Sequence, residues 1–235
     1  MVDLQEIEAK SAPEIVRWAV AAYGGRFAIS TSFQKAGMVV VDLAARTGGP
    51  FRVFTLDTGR LPEETLRMAA TVRERYGVTV EMVVPDAAEV EAMVRQHGPD
   101  LFYDGVEFRH LCCNVRKVRP LARKLRELDA WATGLRRDQA ETRSAVPKAA
   151  EIDGRIKLNP LADWTAAQVE EYIRANGVPV HPLYAEGYES IGCAPCTRPV
   201  KLGEDQRAGR WWWERDARKE CGIHFAADDS VARVV

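Results

Sequence analysis

Short apolar runs alternate with stretches of helical period along most of this chain, and that alternation leaves few architectures open. FAIS, residues 27–30, reads as a buried strand that runs into a polar turn. GMVVVDLAART has the length of a helix and stops at Gly48 and Gly49. FRVFTLDTGRLP supplies a second strand and turn, PEETLRMAATVRERYG a helix, and VTVEMVVP a third strand. AAEVEAMVRQHG is helical and leads to a loop holding Tyr103 and Phe108. CNVRKVRPLARKLREL reads as helix, with Pro120 kinking or restarting it. AWATGLRRDQ gives a fourth strand and loop, and RIKLNPL a fifth strand. Ahead of them all, SAPE at 11–14 is a capping box with an early proline, so a helix runs to about Tyr23. The expected fold is α/β, a mostly parallel, doubly wound sheet covered on both faces. Ligands of such sheets sit beyond the carboxyl ends of the strands. Here those ends carry STSFQK, LDTGR and GLRRDQAETR.

The pattern changes from about Asn159. DWTAAQVEEYIRANG is a capped helix, a Pro/Gly-rich loop with CAPC follows, and then a basic, Trp-rich stretch that reads as helix. The expected division is an α/β body over 1–160 and a C-terminal segment over 161–235 that closes over the sheet. A chain of 235 residues buries a sizeable core without disulfide staples. Its net charge of −1 gives no bulk attraction to nucleic acid or membrane, so an anionic ligand needs a local basic cluster. The N-terminal MVDLQEIEAKSAPEIVRW is amphipathic and partly acidic, unlike a signal peptide, and no apolar run approaches the ~20 residues that span a bilayer. The expected setting is cytoplasmic, where thiols stay reduced.

The cysteines number five: Cys112 and Cys113 side by side, Cys193 and Cys196 as C-x-x-C, and Cys221 near the end. Buried cysteines often serve as small hydrophobes, which would suit CC alone. A C-x-x-C can grip one metal centre, and two pairs from distant segments would tie the C-terminal segment to the body. Neighbouring cysteines on a helix point about 100° apart, which strains service to one zinc ion. A larger cubane, with irons at separate corners, takes them more readily, so a 4Fe-4S cluster is favoured and zinc stays open. Cys221 is left over, beside Arg218, Lys219 and His224; cationic neighbours favour thiolate and make it a candidate nucleophile, while a lone cysteine there is ordinarily an incidental surface thiol.

STSFQKAGMVVVD, FTLDTGRLPEET, CCNVRKVRPL, TGLRRDQAETR, IGCAPCTRPV, RAGRWWW and KECGIH cover most of the chain. In this order they resemble the phosphoadenylylsulfate/adenylylsulfate reductase family of assimilatory sulfate reduction. The resemblance implies an adenine-nucleotide α-hydrolase-like fold. It also implies a two-step reaction in which Cys221 attacks the sulfur of the phosphosulfate, expels AMP and becomes S-sulfocysteine. A thioredoxin or glutaredoxin thiol then releases sulfite. Carried onto this sequence, it makes Cys112, Cys113, Cys193 and Cys196 the cluster ligands. Lys117, one turn past Cys113, would then reach both cluster and sulfate, Arg207 and Arg210 at i, i+3 on one helix face would clamp the sulfate, and His224 would bind sulfate or tune the thiolate. Ser30, Thr31, Ser32 and Phe33 follow the first strand. Leu56, Asp57 and Gly59 lie where adenosine should rest, and Gly134, Arg136, Arg137 and Arg143 where the α-phosphate should. Taken singly, each basic residue is a solvated surface charge, and LDTGR an ordinary strand-ending turn. The WWW run at 211–213 is core or a docking surface for the reductant.

SFQKAG departs from the acidic loop of many family members, with Lys35 in place of an acidic neighbourhood. The cluster-bearing branch points to adenylylsulfate as substrate, with the 3′-phosphorylated form as the alternative. A tRNA sulfur-transfer enzyme of the same fold would carry a glycine-rich pyrophosphate loop, which STSFQK is not. A non-catalytic zinc module would be indifferent to Cys221. Self-association is in keeping with the family fold.

Overall fold

The computed structural model describes residues 3–214. Its strands are β1 (Phe27–Ser30), β2 (Arg52–Leu56), β3 (Val80–Val83), β4 (Ala130–Ala132), β5 (Ala149–Ile152) and β6 (Arg155–Leu158). They form one sheet in the order β3-β2-β1-β4-β6-β5. β1 runs parallel to β2 and β4, and β4 parallel to β6, while β5 is antiparallel to β6. The sequence reading counts five strands, and the sixth is β5. Asp153 and Gly154 take φ values of 50° and 72°, the pair of left-handed residues that a two-residue hairpin needs. Asp-Gly between AAEI and RIKL was the available signal.

The helices are α1 (Leu4–Glu8), α2 (Ala12–Tyr23), α3 (Lys35–Ala45), α4 (Glu63–Tyr76), α5 (Ala87–His97), α6 (Val106–Cys113), α7 (Arg119–Leu125) and α8 (Ala166–Asn176). The capping box at Ser11 and Glu14 opens α2, and a second one at Thr165 and Gln168 opens α8. Phe108, expected in a loop, lies in α6. Between α6 and α7 the chain winds wider, as a π segment over Asn114–Val118. Arg119 N–H there donates to the Asn114 carbonyl, five residues back. Pro120 has no N–H to offer the Arg116 carbonyl, so the ordinary i→i−4 ladder cannot continue through it. The expected kink is thus a wide turn just before the proline.

The basic, Trp-rich stretch is not a helix in its described part. Residues 201–213 form successive turns. Arg198 N–H donates to Gly209 O, and Thr197 makes a β-bridge with Arg210. A Cβ on Gly209 would lie 2.2 Å from the Arg198 carbonyl oxygen, so this loop base tolerates glycine alone. Arg207 and Arg210 therefore share no helix face.

Two compact units interleave along the chain. Of the described residues, the first takes 3–55, 64–81 and 125–181, and the second 56–63, 82–124 and 182–214. In the first, Ile15, Val16 and Ala19 of α2 join Val39 and Val40 of α3, Ile29 and Val53 of the sheet, and Val169 of α8 in one core. In the second, Met93, Leu101, Phe102, Val115 and Trp211 pack around Cys112, Cys113, Cys193 and Cys196. Among the described residues no helix is long and apolar enough to cross a membrane.

Candidate active site

In the first unit the site begins at the topological switch. From β1 the sheet grows to β2 on one side and to β4 on the other, which makes the carboxyl ends of β1 and β4 the topological switch point, the place where such sheets bind ligands. Ser30 ends β1, and Thr31 N–H continues the ladder onto Phe54 O at 3.0 Å. Thr31 is buried, and its Oγ1 accepts from Phe33 N–H at 2.9 Å. That bond holds Phe33 at φ 58°, a left-handed backbone unusual for a bulky residue, with its ring in the core. The chain then turns directly into α3 with Gln34 as its N-cap and no side-chain cap, which leaves first-turn amides without an intrahelical partner just after β1. Ser32 accepts from Gln34 Nε2 at 2.9 Å. Lys35 forms an ion pair with Glu170 of α8.

Gly134, after β4, packs on the start of α3. A Cβ there would stand 2.5 Å from Gly37 N and 2.7 Å from the Ala36 carbonyl carbon. The loop after β4 therefore meets the first turn of α3 backbone to backbone. Arg136 is buried and pairs with Asp138 at 2.9 Å. Arg137 pairs with Glu8 and donates to Val146 O at 2.8 Å. Arg143 is buried and donates to Gln139 Oε1 at 2.7 Å. Beside it stands a lysine the sequence reading passed over, Lys157 of β6. Burial first, then the Arg143 charge, pushes the Lys157 ammonium below its usual value. Its signal was the alternation of RIKL, which sends Ile156 and Leu158 to one face and Lys157 to the other.

In the second unit, Asp57 Oδ1 accepts from Gly59 N–H at 2.9 Å, the turn that follows Leu56. Gly59 takes φ 70°, and its open face meets the Arg116 guanidinium. Asp57, Gly59 and Arg116 line a groove of about 420 Å³ with Val84, Val90 and Val94. The same turn supports the cysteines. Thr58 Oγ1 lies 3.3 Å from Cys193 Sγ, and Ala194 N–H donates to Arg60 O at 2.8 Å. Arg116 Nη1 donates to Thr58 O at 2.7 Å.

Cys112 and Cys113 end α6, and Cys193 and Cys196 flank a short 3₁₀ turn. All four are buried and free of disulfides, within one apolar cluster. As bare thiols Cys112 and Cys196 are poor nucleophiles. Burial, then the neighbouring Cys193, pushes the Cys196 thiol up to about 12, and burial pushes Cys112 up too. Lys117 and Arg210 act on Cys196 in the opposite sense, as Arg116, Lys117 and Arg60 do on Cys112. Lys117, expected to reach both cluster and sulfate, and Arg210, expected at the sulfate, both act on the quartet here, and Arg60 is a further cation, not singled out in the sequence. Among the described residues no group of three or more His, Cys, Asp or Glu side chains could hold a metal ion as they stand. Arg207 sits in the turn after Asp205, whose carboxylate accepts from its backbone N–H. Cys221 and His224 lie outside the described residues.

The cysteine layer is closed by a charged stack. Trp211, at φ 43°, lies between two guanidinium groups, Arg109 at 4.4 Å and Arg210 at 4.5 Å from its ring centre. Arg109 Nε donates to Glu214 Oε1 at 2.6 Å, with both side chains buried. The Arg210 guanidinium covers Gly192, where a Cβ would stand 2.4 Å from Nη2.

The switch point of a mostly parallel sheet places the first unit among the α/β proteins whose ligands bind beyond the strand ends, and the second unit holds a buried thiol quartet attended by cations. Residues 26–199 match the phosphoadenosine phosphosulfate reductase domain, and the chain belongs to that family of oxidoreductases. It is 48% identical over 198 residues to an adenosine 5′-phosphosulfate reductase of Burkholderia cepacia, covering 83% of this chain and 79% of that protein. A crystal structure of phosphoadenylyl-sulfate reductase from Candida auris, in a phosphate complex, superposes with a TM-score of 0.69 at 29% identity, covering 84% of this chain and 96% of that one. The FMN adenylyltransferase of Candida glabrata shares the fold alone, with a TM-score of 0.57 at 13% identity over 86% of this chain and 67% of that one.

Proposed function

We propose that the chain reduces adenylylsulfate to sulfite and AMP, as a step of sulfate assimilation toward cysteine. The observation that carries this is the likeness to the Burkholderia cepacia protein, which runs through most of both chains. In the first step the Cys221 thiolate attacks the sulfate sulfur. An S–S bond forms, the bond from sulfur to the bridging phosphate oxygen breaks, and AMP leaves with that electron pair. In the second step a thiolate of a small dithiol protein, of the thioredoxin or glutaredoxin kind, attacks Cys221 Sγ. Sulfite departs with the S–S electron pair. The partner's second thiol resolves the mixed disulfide and returns Cys221 as thiolate. Sulfur gains two electrons and the partner's dithiol loses two.

The residues fit their parts. The α3 N-terminus, Gly134 and the Arg143–Lys157 neighbourhood offer backbone donors and positive charge to the nucleotide phosphate. Lys117, Arg207, Arg210 and His224 are assigned to the sulfate, where negative charge passes to the leaving AMP.

The buried quartet also fits a 4Fe-4S cluster. Four thiols share one layer, Thr58 Oγ1 is within reach of Cys193, and four nearby cations offset thiolate charge. Cys112, Cys113, Cys193 and Cys196 would hold it. When bound, such a cluster supplies iron to the thiolates and shapes the field around Lys117, and neither step above takes an electron from it.

Incubation with adenylylsulfate and no reductant tests the reading. The expected product is one added SO₃ on Cys221, with none formed in Cys221→Ser. An adduct on another residue, or none, refutes it. The likeness to the Candida auris reductase favours a second reading, the 3′-phosphorylated substrate, and faster sulfite release from that form would establish it. Iron and acid-labile sulfide in anaerobically purified protein support the cluster, whereas zinc without sulfide removes it.

A further inference from the structure

The three tryptophans at 211–213 have three different surroundings. Trp211 is buried between its two arginines. Trp213 is half-buried, edge-on to Tyr103 with ring centres 4.5 Å apart. Trp212 turns outward, 40% exposed, and stands edge-on to Trp213 at 4.9 Å. Tyr103 itself is 45% exposed and packs on Phe102 at 4.6 Å. Its hydroxyl donates to Pro195 O, inside the CAPC turn, at 3.0 Å. The result is a stair of rings, Tyr103–Trp213–Trp212, rooted beside the cysteine quartet and open at its upper step. The loop that leads to it is closed at its base by the Thr197–Arg210 bridge and carries Leu202, fully exposed, near its tip.

Core packing explains Trp211, and Trp213 in part, but not an indole left in water. Exposed tryptophan and tyrosine on a fixed base are what protein interfaces are built around. They offer large contact area with little side-chain freedom to lose. The sequence supplies the occupant. Trp212 stands nine positions before Cys221, and a chain of that length reaches at most about 32 Å even when fully extended. Any protein that attacks a sulfur on Cys221 must therefore come within about that distance of Trp212. A small dithiol protein, whose reactive thiols must enter flush with a surface, needs an apolar landing beside the adduct. A molecule of a few atoms does not.

We propose that the Tyr103–Trp213–Trp212 stair is the docking surface for the dithiol protein that discharges Cys221. This rests on the reading given under Proposed function, and the experiment separates the two. Anaerobically purified chain, unmodified or carrying Trp212→Gln or Trp212→Phe, is charged with adenylylsulfate without reductant. Sulfite release is then followed with a thioredoxin as protein dithiol and, separately, with dithiothreitol. In Trp212→Gln the charging step and the dithiothreitol rate are expected to hold. The KM for thioredoxin should rise about thirtyfold, the scale of a lost interface hot spot. Trp212→Phe, which keeps a ring, should restore most of the loss. An unchanged KM for thioredoxin in Trp212→Gln overturns the proposal. So does an equal loss with dithiothreitol, which would mark Trp212 as support for the fold. Failure of the unmodified chain to form the Cys221 adduct at all overturns the reading beneath it instead.

Discussion

The Arg109–Glu214 pair lends itself to a quantitative test. The two side chains are 0% and 4% exposed, with Nε and Oε1 2.6 Å apart, and they join α6 to a residue 105 positions further on. Two unit charges with centres about 4 Å apart attract by about 4 kcal/mol at an effective dielectric constant near 20. Removing one partner of such a buried pair leaves the other charged and unsolvated, which costs about 3–5 kcal/mol. Glu214→Gln is the cleanest perturbation, because it keeps the volume and an oxygen for Arg109 Nε while deleting the charge. The Trp211 ring 4.4 Å from Arg109 remains and offsets part of the cost, so about 3 kcal/mol is expected. For a chain of this size that lowers Tm by about 6–12 °C. Urea unfolding followed by tryptophan fluorescence reads the same quantity, since Trp211 and Trp213 lie in this unit. Arg109→Met with Glu214→Leu removes both charges and should recover most of the loss. A Glu214→Gln midpoint indistinguishable from that of the unmodified chain would refute the argument. So would a double variant less stable than the single one, because the pair would then contribute beyond the avoidance of an orphan charge.

Gly134→Ala should push the loop after β4 off the first turn of α3, since its Cβ would stand 2.5 Å from Gly37 N, a backbone atom with no rotamer to yield. A loss of about 1–3 kcal/mol is expected, together with a higher KM for the nucleotide; unchanged values of both would refute the close approach. His181 is buried, with Nε2 2.9 Å from Thr65 Oγ1, and burial holds its imidazole below the ordinary 6.5. The unfolded chain then binds the proton more tightly, so stability is full above 6.5 and declines as pH falls through that value toward the folded pKa. Urea midpoints from about pH 8 to pH 5 should show this slope, and His181→Gln should flatten it. Pro120→Ala restores an N–H for the Arg116 carbonyl and should let the π segment relax toward α-helix. The readout is a changed Lys117 environment with little change in helix content, and an unaltered Lys117 resonance would count against it.

Much of the body was legible because periodicity and end signals agreed. Ser11 and Glu14 cap α2 as their spacing suggests, and β1 to β4 fall on the apolar runs. β5 was hidden because AAEI is too short and too mixed to alternate visibly, and only Asp153-Gly154 marks it. The stretch from Lys201 to Trp213 misled for a different reason. Its basic and aromatic residues have no aversion to helix, and the fold there is decided by Gly209, pressed on the Arg198 carbonyl. No local pattern announces such a contact. The cysteine quartet was legible as chemistry, but its surroundings were not. Thr58, Arg60 and Arg109 come from segments far along the chain, and only their packing brings them to Cys193, Cys112 and Trp211.

The π segment joins these two kinds of information. Cys112 and Cys113 close α6, Lys117 follows within Asn114–Val118, and Pro120 stands just beyond. In an unbroken α-helix Lys117 would lie almost directly above Cys113, as one turn of 3.6 residues requires. The wider winding, with Arg119 bonded back to Asn114, gives the turn that follows Cys113 an extra residue. Lys117 exerts its charge on Cys112 and also on Cys196, which belongs to the other cysteine pair. A single proline, by denying one hydrogen bond, thus shapes the turn of backbone that carries this cation. The backbone bonding between Cys113 and Pro120 therefore takes part in setting where the positive charge stands beside Cys112 and Cys196.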